Sequence, residues 1–286
     1  MITTRFAAFG LAAVILSSGF GTASAQAHQL VDIGGYRLDV VRAGQGSPVV
    51  VFEAGLGDPL DDWASVWPEA AKLTTVVAYS RAGLGRSDPP TNPGDRTAQR
   101  EATELHTLLQ RMGLRPPYVL VPRSYGSILA RLYTSLWPSE VAGLVIVEGT
   151  HEQQVKRWGI VDSTYPNTFR VFFDSVLRTL PPNGAEAGET RETLRIQMAG
   201  AVEGLTPLPD IPIAVLTSMR SDPNARYVNG TPRGHDIWRE LHDEWFRRSR
   251  NGIHIETSRS GHGLQNDEPQ LVVDAIRFVL ERARTP

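Results

Sequence analysis

The sequence contains no cysteine. That absence excludes disulfide staples, a thiolate nucleophile, iron–sulfur clusters, cysteine-bound zinc and lipid attachment at a cysteine. The fold must then be held by its apolar core. One-sided charge is missing too: the formal net charge is −2 over 286 residues, with acids and bases interleaved. No basic tract offers a footprint for nucleic acid, which is not an expected partner. His151-Glu152 lacks the second histidine of a zinc-binding helix, and Gly83-Leu84-Gly85 lacks the third glycine of a dinucleotide fingerprint. Neither a metal nor an organic cofactor is expected. Long apolar runs are also lacking. The best candidate, Phe6 to Leu16, falls short of the ~20 residues that a spanning helix needs.

That short run has its own reading. Arg5 precedes it, and the small residues Ala23-Ser24-Ala25 follow it. This is the order of a secretory signal peptide over residues 1–25, with Gln26 first in the mature chain. The expected location is the periplasm or the extracellular space, with no stable membrane span after signal removal.

Downstream, short β-branched runs alternate with helical patterns. Leu30 to Ile33 and Tyr36 to Val41 flank Gly34-Gly35, a hairpin signal. Strands buried on both faces are expected at Pro48 to Phe52, Thr75 to Tyr79, Tyr118 to Val121, Leu144 to Val147, Ile213 to Leu216 and Ile253 to Glu256. Helical spacing marks Thr97 to Met112, Ser127 to Trp137, Ile237 to Arg248 and Pro269 to Ala283. The alternation predicts an α/β fold with a mainly parallel sheet covered by helices on both faces, and antiparallel strands at one edge. From about Gly149 to Asp210 there are three helical segments and no strong strand. So long a connection reads as an inserted helical cap. The expected organisation is core over 26–148, cap over 149–210 and core again over 211–286. Five aromatic residues, Trp158, Tyr165, Phe169, Phe172 and Phe173, are expected mainly inside the cap.

Chemistry concentrates at three places. In Val119 to Arg131 a strand meets a helix at once, with Ser124 at the turn. A tight strand-to-helix turn lifts a serine hydroxyl clear of the sheet and makes it a candidate nucleophile. Backbone segments approach closely two positions either side. Gly126 meets that need; Pro122 stands where glycine is usual and has no N–H. The glycine-rich turn Glu53-Ala54-Gly55-Leu56-Gly57 follows another strand. Acyl transfer needs two donors for a developing oxyanion, and the N–H groups of Leu56 and Tyr125 are the candidates. Finally, His262 lies between the last strand and the last helix. Serine is a weak nucleophile without a base, and imidazole titrates in the right range.

Together these segments resemble the α/β-hydrolase superfamily, in its serine esterase-like branch with a helical cap. Val51 to Gly57 looks like the oxyanion segment, Tyr79 to Asp88 like the aspartate-arginine-x-glycine-x-glycine-x-serine segment with Ser80 in place of the aspartate, and Ser260-Gly261-His262 like the histidine loop. The resemblance implies a Ser-His-acid triad in the order nucleophile, acid, histidine. Leu144 to Glu152 is similar to relatives that carry an acid after this strand, which favours Glu148. Asp222, after the following strand, is the more widespread position and the alternative. The implied activity is cleavage of a carboxylic ester through an acyl-enzyme. Amide or short-peptide cleavage is an alternative, and so is a non-catalytic ligand-binding homologue, the reading that Pro122 and Ser80 motivate. Relatives that use an aspartate nucleophile, the dehalogenases and epoxide hydrolases, are disfavoured by serine at position 124.

Overall fold

The computed structural model describes residues 28–92, 96–247 and 249–284. The expected signal peptide lies outside the described residues. The chain begins with a hairpin, β1 (Gln29–Asp32) and β2 (Arg37–Ala43). Gly34 and Gly35 both take positive φ in its turn, which explains why two glycines stand there. The remaining strands are β3 (Val49–Glu53), β4 (Val76–Tyr79), β5 (Tyr118–Pro122), β6 (Val141–Val147), β7 (Ile213–Ser218) and β8 (Gly252–Thr257). They form one eight-stranded sheet in the order β1-β2-β4-β3-β5-β6-β7-β8. The hairpin is antiparallel at one edge, and strands from β4 to β8 pair in parallel.

The helices are α1 (Trp67–Ala70), α2 (Ala98–Arg111), α3 (Gly126–Leu136), α4 (Gln154–Val161), α5 (Tyr165–Leu177), α6 (Ala185–Ala199), α7 (Pro232–Phe246), α8 (Leu264–Asp267) and α9 (Pro269–Ala283). Buried apolar residues fall into clusters on the two faces of the sheet. One unites Val50, Phe52, Val119, Val121 and Val145 with Val272, Ile276 and Val279 of α9; the other unites Val51, Leu120 and Ile146 with Leu105 and Leu108 of α2 and Tyr133 of α3. Alternate strand residues point to opposite faces, which is why strands covered on both sides read as continuous apolar runs. Helices α4, α5 and α6 lie between β6 and β7 in the chain and pack on one another, with α4 also against α7.

Two boundaries differ by three residues or more from the expected ones. Strand β6 starts at Val141, three residues before the expected Leu144, because it runs through Gly143. A Cβ there would lie 2.4 Å from Val279 Cγ1, so glycine marks the close crossing of α9 rather than a strand end. Helix α7 begins at Pro232, before the expected Ile237, with Thr231 accepting a hydrogen bond from the Gly234 N–H as its cap.

Candidate active site

Ser124 follows β5 directly and precedes α3, and its φ is +49°. For a residue with a side chain this left-handed conformation costs about 1–3 kcal/mol and persists only where neighbours enforce it. Here they do. The Ser124 N–H donates to Val147 O at 3.3 Å, and its carbonyl accepts from Ser127 and Thr150 N–H, both at 3.0 Å. The Arg123 N–H donates to Glu53 O at 3.0 Å on the other side. Gly126 is required by space: a Cβ would lie 2.6 Å from Ala54 O and 2.7 Å from Glu53 O. Pro122 is accommodated inside the strand. The β5–β6 ladder pairs Leu120 with Leu144 and resumes as a bridge between Arg123 and Val147. By alternation the N–H that Pro122 lacks would face β6, so the turn is reached at the loss of one ladder bond.

His262 follows β8, half its side chain open to solvent, and its Nε2 lies 3.0 Å from Ser124 Oγ. Its Nδ1 lies 3.3 Å from Glu148 Oε2. With Nδ1–H donating to the carboxylate, Nε2 is left to accept from the serine. Glu148 ends β6 and is buried, with φ +47°. Among the described residues, Ser124 and Glu148 are the two non-glycine positions with positive φ. Burial pushes the Glu148 carboxyl up, but the hydrogen bond and charge of His262 and the Ser218 N–H, donating at 2.5 Å, hold it below the ordinary glutamate value. Trp238 Nε1–H donates to the same carboxylate at 3.3 Å. Asp222, the alternative acid, is exposed on the loop after β7, where it accepts the Asn224 N–H at 2.8 Å and makes no hydrogen bond or ion pair with His262.

A polar chain supports the peptide that follows Glu148. His242 Nε2 donates to Gly149 O at 2.8 Å, and burial lowers this histidine to about 3, so the ring is neutral. Its Nδ1 must therefore accept, taking the Thr217 hydroxyl at 2.5 Å. Thr217 in turn accepts from His254 Nε2 at 2.7 Å, whose Nδ1 faces Asp243 Oδ1 at 2.7 Å. In the sequence His242 sits in a polar helical stretch with no motif around it. Its fully buried position beneath the acid came only with the fold.

Leu56 and Tyr125 both line the cavity that Ser124 opens into. Among the described residues neither N–H has a hydrogen-bond acceptor. Arg81 fixes the loop that carries Leu56. It donates to Ala54 O at 2.9 Å, Gly55 O at 2.5 Å and Glu53 Oε1 at 2.8 Å, and pairs with Glu189 of α6 at 2.7 Å. Glu189 also accepts the Gly57 N–H at 3.0 Å, so one buried ion pair ties cap and loop together. Ser80 fits its place: its Oγ accepts the Leu60 N–H at 3.0 Å, and a Cβ on Gly85 would lie 2.8 Å from it. Arg123 does not act in the cavity; it pairs with Asp58 at 2.8 Å and Asp62 at 3.1 Å. Glu189 carried no sequence signal, being one of many acids on a polar helix. Arg81 was visible in its motif, but its partners lie far away in the chain.

The cavity measures about 710 Å³. Trp158, Tyr165, Phe169 and Phe173 line it, joined by Trp238. The aromatic content of the cap thus faces the cavity more than the sequence reading expected; Phe172 alone of the five is largely exposed. Among the described residues no cluster of His, Asp and Glu is arranged to hold a metal ion.

A serine on a strand–helix turn, a histidine after the last strand and a mainly parallel sheet interrupted by three helices define an α/β hydrolase. Residues 48–243 match the family model described as alpha/beta hydrolase fold, and the chain belongs to that family. It is 24% identical over 235 residues to the uncharacterized protein YqjL of Bacillus subtilis, covering 82% of this chain and 84% of that one. In fold it is similar to a thermophilic esterase from Thermogutta terrifontis, with a TM-score of 0.61 at 18% identity over 91% of this chain and 99% of that one. It is also similar to the epoxide hydrolase CorEH, with a TM-score of 0.57 at 19% identity over 88% of this chain and 98% of that one.

Proposed function

We propose that the chain is a serine hydrolase that cleaves carboxylic esters through an acyl-enzyme, with Ser124, His262 and Glu148 as its triad. The observation that carries this reading is the unbroken line from Ser124 Oγ to His262 Nε2 at 3.0 Å and from His262 Nδ1 to Glu148 at 3.3 Å, beside the cavity. His262 takes the Ser124 proton as Oγ attacks the ester carbonyl. The Leu56 and Tyr125 N–H groups receive the oxyanion, and Glu148 stabilises the imidazolium. His262 then gives its proton to the departing alkoxide, and the alcohol leaves. A water, deprotonated by His262, attacks the acyl-enzyme and releases the acid, restoring Ser124. The similarity to an epoxide hydrolase does not favour that chemistry here, because serine occupies the nucleophile position.

Treatment with a fluorophosphonate probe followed by peptide mapping tests the nucleophile. Labelling at Ser124, lost in Ser124→Ala together with turnover of p-nitrophenyl esters, is the expected result. Wild-type ester turnover surviving in Ser124→Ala would sink the mechanism, and faster cleavage of amino-acid anilides would move the substrate class to amides. Export belongs to the same proposal: the mature N-terminus, sequenced from secreted or periplasmic material, is expected at Gln26.

A further inference from the structure

The cavity beside Ser124 has two unlike walls. One is the aromatic wall of the cap and Trp238. The other is the loop after β7, which contributes Arg220, Ser221, Asp222 and Pro223. Arg220 is the one arginine or lysine on the described lining. It is exposed, and its guanidinium makes no ion pair or side-chain hydrogen bond among the described residues. Only its backbone N–H is engaged, donating to Ser218 Oγ at 3.3 Å. Most other arginines near the site are spoken for: Arg81, Arg123 and Arg131 each hold a carboxylate within 2.8 Å.

The place of Arg220 is also built by its neighbour. A Cβ at Gly261 would lie 2.4 Å from Arg220 Nη2 and 3.1 Å from its Cζ. The guanidinium therefore lies against bare backbone one residue before His262, where any other side chain would displace it. Asp222 does not neutralise it, since that carboxylate accepts the Asn224 N–H at 2.8 Å and forms no ion pair with Arg220. Exposed Ser221 and Asn229 add further polar groups to the same wall.

We infer that Arg220 recognises an anion, and that the preferred substrates are esters bearing an ionised carboxylate a few bonds from the scissile carbonyl. This inference rests on the ester-hydrolase reading above. A guanidinium presents a planar fork of N–H donors that matches a carboxylate bidentately. Because Arg220 is exposed, such a pair is moderate in strength and screened by salt. The apolar part of the substrate lies against Trp158 and Trp238, and its charged end lies toward the loop after β7.

The test compares p-nitrophenyl monoesters of succinic and glutaric acid with neutral p-nitrophenyl esters of matching length. The ratio of kcat/KM, anionic over neutral, is expected to favour the anionic esters by about ten-fold in the wild type, to collapse in Arg220→Gln and to be partly kept in Arg220→Lys. It should also shrink as salt rises from about 0.05 to about 0.5 M. A ratio unaltered by Arg220→Gln would overturn the inference, as would an equal loss on both substrate sets, which is what a merely structural role predicts. A second arm reads recognition without turnover: monoethyl glutarate titrated into Ser124→Ala protein, followed by tryptophan fluorescence, with and without Arg220→Gln. Binding weakened about ten-fold by the second change supports anion recognition, and unchanged binding refutes it. Inorganic phosphate competing as well as glutarate would show general anion binding and overturn the carboxylate assignment. Absence of all ester turnover would defeat the hydrolase reading alone, because the binding arm still decides the role of Arg220.

Discussion

At the scale of single residues, backbone strain falls on two members of the proposed triad. Ser124 and Glu148 share the left-handed region that glycine prefers, and each is pinned by bonds from two neighbouring segments. Ser124→Gly and Ser124→Ala both remove the hydroxyl, but only glycine relieves the strain. The glycine variant is expected to be more stable than the alanine variant by about 1 kcal/mol in urea unfolding, with both inactive. The two candidate acids separate just as cleanly. Glu148→Gln keeps the shape of the side chain but stabilises no imidazolium, and kcat is expected to fall by roughly 10³–10⁴-fold. Asp222→Asn touches no member of the proposed triad, and steady-state kinetics on neutral esters should show a change of less than about three-fold. The sequence could narrow the acid to these two, since each follows a strand. The resemblance favours Glu148, but spacing alone does not separate the two, because the choice depends on which loop end lies over β8, and that is a distance across the sheet.

At the scale of elements, α6 is joined to the turn after β3 through the buried Arg81–Glu189 pair. Replacing Glu189 by Gln leaves the Arg81 charge short of one partner in a buried place. The expected cost is about 3–5 kcal/mol of stability, read as a lowered urea midpoint. The Gly57 N–H keeps an amide acceptor, so a fall in kcat at unchanged KM would report slackening of the loop that carries Leu56. Most elements were legible because their signals are local. The hairpin showed in Gly34-Gly35, and the elbow in the unbroken passage from apolar strand to helix at 119–131. Boundaries that the sequence does not show depend on long-range contacts. Gly143 interrupts the apolar run before Leu144 because α9 crosses there, and the Arg81–Glu189 pair joins residues 108 positions apart. Pro122 looked like an obstacle to the turn because a one-dimensional reading cannot say which neighbouring strand would miss its N–H.

At the scale of the whole molecule, stability without disulfides should be strongly pH-dependent on the acid side. Burial holds His242 and His151 neutral down to about 3. In the unfolded chain both take up a proton near 6.5. Between those limits the unfolded state binds more protons, so stability is full above about pH 6.5 and falls as pH drops toward 3. Two such groups give a slope of about 2.7 kcal/mol per pH unit once both limits are cleared. Urea midpoints from pH 7 to pH 4 should decline accordingly, and His151→Gln should roughly halve the slope. Glu148, held below its ordinary value, adds to the loss at the acid end: its contribution is present above about 4.5 and disappears as the folded carboxyl is protonated.

Glu148 as the proposed acid, at the end of β6, has a consequence for how this protein can change over evolutionary time. The loop after β7 carries no member of the proposed triad, so under that mechanism its length and sequence are released from the tolerances that chemistry would impose on Ser124, His262 and Glu148. Residues 220–227, which precede buried Val228 and the Thr231 cap of α7, can then drift, lengthen or be exchanged while the proposed triad stays intact. A library randomised over that stretch should yield many variants that still react with a fluorophosphonate, sorted mainly by which esters they accept.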